Sequence, residues 1–82
     1  MKKVIRFTAS WCQPCKAMAN ILEEINSPIP IEVVDIDAQQ DIAIEYGIRG
    51  VPTLVKVDNN GNITGRMVGV KAKNLVEEFI ND

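Results

Sequence analysis

Trp11-Cys12-Gln13-Pro14-Cys15-Lys16 follows the apolar run Lys3 to Thr8 and opens a helical pattern. Two cysteines three apart at such a junction can close a small disulfide on the first turn of a helix. Unpaired backbone N–H groups there, with the positive end of the helix dipole, favour a thiolate. Spacing and placement together make Cys12 and Cys15 a redox pair.

Working outward, Lys3 to Thr8 is rich in Val, Ile and Phe and predicts a first strand. Pro14 suits the first helical turn, where its missing N–H costs nothing. Met18, Ile21, Leu22 and Ile25 fall on one helical face, and Ser27-Pro28-Ile29-Pro30 stops the helix near Asn26. A second strand is expected from about Ile31 to Ile36, then a short helix from about Gln39 to Tyr46 closed by Gly47. Thr53 to Val57 and Ile63 to Val68 flank Asp58-Asn59-Asn60-Gly61-Asn62, whose Asn-Gly step predicts an antiparallel hairpin. Gly65 reads as a bulge or bend in the last strand. A final helix, about Ala72 to Ile80, turns Leu75, Val76, Phe79 and Ile80 to the sheet. The order βαβαββα gives an α/β fold, a four-stranded mixed sheet with right-handed crossovers and helices on both faces.

At 82 residues, 46% hydrophobic and 24% charged, residues 1–82 should form one domain. The net charge of -2 is spread without a basic run, which argues against nucleic-acid and anionic-membrane partners. The basic start Met1-Lys2-Lys3 leads into an apolar stretch cut by Arg6, unlike a signal peptide. No apolar segment approaches the roughly 20 residues of a membrane span. A soluble cytoplasmic protein is expected, and that reducing compartment argues against a permanent structural disulfide. Structural zinc usually takes four ligands, whereas the chain has two Cys and no His, so no metal is expected without a second protomer. Asp35 and Asp37, two apart at a strand end, read as solvated carboxylates rather than a catalytic pair.

Phe7-Thr8-Ala9-Ser10-Trp11-Cys12-Gln13-Pro14-Cys15-Lys16 resembles the active-site segment of thioredoxins. Tyr46-Gly47-Ile48-Arg49-Gly50-Val51-Pro52-Thr53-Leu54 resembles their cis-proline loop, and the similarity runs on through Gly69 to the last helix. The extra N-terminal strand and helix of ordinary thioredoxins are missing, giving a minimal thioredoxin fold of glutaredoxin length. The resemblance implies that Cys12 is an exposed attacking thiolate and Cys15 the shielded resolving thiol. It further implies a cis Val51–Pro52 bond and an apolar rim of Trp11, Pro14, Val51 and Pro52, with Gln13, Gly50 and Gly69 completing the substrate-binding surface. Alone, Trp11 would read as an ordinary apolar residue and Pro52 as an ordinary trans turn proline. Their neighbours reverse both readings.

The sequence departs from the pattern in three places. Gln13 stands where thioredoxins usually carry glycine. Arg6 stands six residues before Cys12, where the family usually has a buried aspartate, and Val33 where a lysine often accompanies it. Arg6 is thus a candidate redox-tuning residue, with an ion pair to Asp35 as its expected partner and a snorkelling surface arginine as the alternative. The leading function is a thiol-disulfide oxidoreductase that reduces protein disulfides, needs no bound cofactor, works as a monomer and draws electrons from thioredoxin reductase. A partner-binding subunit with incidental redox activity is the second reading and an iron–sulfur cluster shared by two chains the third. A glutaredoxin-type glutathione-dependent reductase is a further alternative, although the glycine pair and acidic residue that hold glutathione are not evident near Gly69-Val70-Lys71.

Overall fold

The run Lys3–Thr8 forms strand β1, the centre of a sheet ordered β2-β1-β3-β4 in the computed structural model of the chain. The structure describes residues 2–82; Met1, which opens the N-terminal stretch read above, lies outside the described residues. The other elements are α1 (Gln13–Glu23), β2 (Ile31–Asp35), α2 (Gln40–Glu45), β3 (Thr53–Val57), β4 (Ile63–Val68) and α3 (Lys73–Asn81). β1 pairs in parallel with β2, Arg6 beside Val33, and antiparallel with β3, Arg6 beside Leu54. β3 and β4 pair antiparallel as the hairpin signal predicts. The mixed sheet and its order βαβαββα agree with the sequence expectation.

Side chains alternate across a strand, so the sheet has two apolar faces. Val4 and Leu54 pack with Met18, Leu22, Val76 and Ile80 from α1 and α3. Ile5, Phe7, Val34, Val55 and Val57 face the other way and meet Ile42 and Tyr46 around α2. Helices therefore cover both faces, and burial on each holds β1 as a central strand. Among the described residues no helix is long and apolar enough to cross a membrane.

The element ends differ from expectation where local hydrogen bonds intervene. Helix α1 stops at Glu23, short of Asn26, because Glu24 and Ile25 donate three residues back, to Ile21 and Leu22, and tighten the last turn. Strand β2 stops at Asp35, whose carboxylate accepts from Asp37 N at 2.8 Å and Ala38 N at 3.3 Å and turns the chain. Gln39 and Tyr46 cap α2 instead of belonging to it, and Ala72 is the N-cap of α3. Leu75 does not face the sheet: it is 45% exposed, since Val76 and Ile80 are the residues that α3 buries.

The hairpin register slips between Lys56 and Val57, leaving Thr64 as the extra residue beside Gly65. A Cβ on Gly65 would meet Cε1 of Phe79 at 3.2 Å, so the glycine admits the Phe79 ring against the strand. In the turn, Asp58 accepts from the backbone N–H groups of Asn62 and Asn60 at 2.9 Å each, and these bonds hold its carboxyl below the ordinary aspartate value.

Candidate active site

Cys12 is the N-cap of α1, with extended φ and ψ of -95° and 108°. Its sulfur occupies the place usually taken by the oxygen of a serine or aspartate cap, and accepts from the backbone N–H of Cys15 at 3.1 Å. Pro14 contributes no N–H in this first turn, so the Cys15 amide is the donor aimed at the sulfur. Cys12 and Cys15 are joined by a disulfide, with Cα atoms 5.3 Å apart. Reduction of that bond leaves a Cys12 sulfur already facing an amide donor and the positive end of α1, the two features that favour a thiolate.

In this disulfide form Cys12 is 3% and Cys15 2% exposed. The expectation of an exposed Cys12 is therefore corrected: bonding to Cys15 draws its sulfur over the first turn of the helix, against Ala9, Ile36 and Val51. Position rather than burial distinguishes the two sulfurs, because Cys12 stands at the helix entrance and Cys15 one turn inside.

The loop after α2 meets the disulfide from the other side. The Val51–Pro52 bond is cis, as the resemblance implies. The Val51 carbonyl lies 3.7 Å from the Cys12 sulfur. Pro52 is fully buried, so it supports the rim from beneath instead of forming it, and its carbonyl accepts from Gly69 N at 2.9 Å. Gly69 has φ of 83°, a left-handed conformation that glycine adopts without strain. Thr53, buried, donates its hydroxyl to the Gly50 carbonyl at 2.7 Å. Gln13, Pro14 and Gly50 are exposed, while Val51 is half-buried.

Trp11 is 66% exposed, and its indole N–H donates to the Asp37 carboxylate at 2.8 Å. Sequence reading missed this role for Asp37. The two residues are 26 apart, and only an indole N–H in need of an acceptor signalled that Trp11 has a partner. Asp35 and Asp37 do not work as a carboxylate pair: one caps the turn after β2 and the other fixes Trp11.

The expected Arg6–Asp35 ion pair is absent. The register places Asp35 beside Thr8, two residues beyond Arg6, and its carboxylate is engaged by the turn. Arg6 is half-buried on the sheet face of α1 and α3, next to Val33, which is 51% exposed. That face is thinly covered at its edge, which gives Arg6 room to reach water.

A family model described as Thioredoxin matches residues 1–82. The chain belongs to the thioredoxin family. Thioredoxin of Bacillus subtilis (strain 168) is 37% identical over 79 residues, covering 92% of this chain and 75% of that protein. The mitochondrial thioredoxin of Mus musculus is 36% identical over 81 residues, covering 94% of this chain and 48% of that protein, so the chain spans about half the length of that relative. Among solved structures, a mutant thioredoxin from Halobacterium salinarum NRC-1 superposes with a TM-score of 0.89 at 29% identity, over 98% of this chain and 72% of that one. Mitochondrial thioredoxin 3 of Saccharomyces cerevisiae, in its oxidized form, gives 0.87 at 32% identity, over 98% and 76%. The four-stranded sheet of this chain is thus a thioredoxin fold, and Cys12 and Cys15 are its cysteine pair.

Proposed function

We propose that the chain is a thiol-disulfide oxidoreductase that reduces protein disulfides. The observation that carries this reading is a disulfide at a helix entrance whose first sulfur faces an amide donor at 3.1 Å and the Val51 carbonyl at 3.7 Å. In the reduced protein, the Cys12 thiolate attacks one sulfur of a substrate disulfide. The Cys12–substrate bond forms, the substrate S–S bond breaks, and the departing thiolate takes a proton from water. Cys15 then gives up its proton to solvent and attacks the Cys12 sulfur, restoring the Cys12–Cys15 bond and expelling the second substrate thiol. Two electrons have moved from the protein to the substrate, and an external dithiol returns them.

The cycle uses no bound cofactor. The family resemblance supports thioredoxin reductase with NADPH as the electron donor over glutathione, and this reading has the protein act as a monomer in the cytoplasm. Trp11, Gln13, Pro14, Gly50, Val51 and Gly69 form the substrate-binding surface. Acceleration of dithiothreitol-driven insulin reduction tests the activity, and turnover of the oxidised protein with thioredoxin reductase plus NADPH beside glutathione tests the donor. A rate equal to that of dithiothreitol alone contradicts the reading.

Arg6 enters as a tuning charge. A half-buried cation on the face of α1 favours the charged thiolate over the disulfide, which makes the protein more oxidising. Arg6→Met should lower the reduction potential by about 10–30 mV, where 30 mV is about 1.4 kcal/mol for two electrons. Equilibration against redox buffers reads the shift. An unchanged potential in a folded variant makes Arg6 purely structural.

A further inference from the structure

The loop from Gly47 to Pro52 presents the carbonyl that faces the Cys12 sulfur, and β4 and the residue just past it hold the loop at its two ends. At its start α2 closes with a paired arrangement of bonds: Gly47, at φ of 67°, donates to Ile44 O at 3.0 Å, and Ile48 donates to Ala43 O at 2.9 Å. The Tyr46 carbonyl points outward from this closure, and the Arg66 guanidinium of β4 donates to it. At the loop's end Gly69, just past β4, donates to Pro52 O at 2.9 Å. The Gly69 tie is backbone to backbone. The Arg66 tie depends on one exposed side chain that belongs to neither apolar core nor the sulfur chemistry.

We propose that Arg66 is a positioning residue for protein substrates, an inference that rests on the disulfide-reductase reading above. Its charge-assisted bond to Tyr46 O fixes the start of the loop, and hence the place of the Val51 backbone beside Cys12. A protein disulfide lies along that backbone as an added extended segment and is sensitive to where the loop stands. A small aromatic disulfide needs the Cys12 sulfur alone. Arg66 therefore favours protein disulfides over small ones without touching either. The bond can bias the loop by no more than its own free energy, and because it is exposed to water and screened the effect is limited to about tenfold, or about 1.4 kcal/mol.

The test compares rates of insulin reduction and of dithiobis(nitrobenzoate) reduction by reduced wild-type protein, Arg66→Met and Arg66→Lys, alongside their melting temperatures. Arg66→Met should lower the insulin-to-small-disulfide rate ratio about fivefold, within the tenfold limit, and Arg66→Lys should regain the larger part by keeping a charged donor. A ratio within about twofold of wild type in Arg66→Met, whether both rates fall together or neither falls, overturns the proposal. If the Met variant melts early, Arg66→Gln repeats the measurement with a polar side chain. Failure of the underlying reading shows separately, as wild-type protein that does not reduce insulin.

Discussion

Cys12→Ser is expected to bring dithiothreitol-driven insulin reduction down to the rate of dithiothreitol alone. In the proposed cycle Cys12 supplies the nucleophile, and a serine hydroxyl at the same N-cap cannot form a disulfide with the substrate. Cys15→Ser should behave differently. With reduced protein freed of dithiothreitol, it keeps the first attack and loses the second, so one substrate chain per protein accumulates as a mixed disulfide on Cys12. Mass spectrometry after acid quenching locates that bond. Catalysis retained in Cys12→Ser, or a mixed disulfide that never forms in Cys15→Ser, contradicts the assigned roles.

Phe7→Ala should produce the largest loss of stability. Phe7 is 0% exposed, packs among Ile5, Val34, Val55 and Val57, and meets the Tyr46 ring at a centroid distance of 5.6 Å and an interplanar angle of 50°. Truncating a buried phenylalanine typically costs about 3–5 kcal/mol, a large share of the roughly 5–15 kcal/mol that holds a domain together. At about 4–8 °C per kcal/mol for a chain of this size, thermal unfolding followed by circular dichroism should show a fall of at least about 12 °C. A fall below about 4 °C would mean that the pocket collapses around the missing ring and that Phe7 is not a main support of the α2 face.

What the sequence makes legible is what neighbouring residues decide. Strands β1, β3 and β4 run where their β-branched stretches meet turn residues, with Gly61 at φ of 84° in the hairpin turn. Cys12 and Cys15 are readable as a redox pair because one segment contains both the sulfurs and the helix entrance that Cys12 caps. Element ends are less legible, because Glu24 and Ile25 donate three residues back and the Asp35 carboxylate takes up the amides of Asp37 and Ala38, bonds that no apolar pattern announces. Leu75 fits the apolar stripe of α3 on paper, yet the stripe centred on Val76 and Ile80 leaves it toward water. Least legible are bonds across the fold. Trp11 to Asp37 and Arg66 to Tyr46 each join elements that only the finished sheet brings together, and Arg6 lost its expected partner to a turn that claimed Asp35 first.

The central claim is that the first turn of α1 activates Cys12 and leaves Cys15 as the slower thiol. Alkylation of the fully reduced protein across a pH series, with modification counted on each cysteine by peptide mass spectrometry, tests it most directly. The structure predicts that Cys12 reacts first, with an inflection well below the ordinary cysteine value of about 8.5, while Cys15 reacts later and titrates higher. Equal rates at the two cysteines, with one shared inflection near about 8.5, would contradict the account.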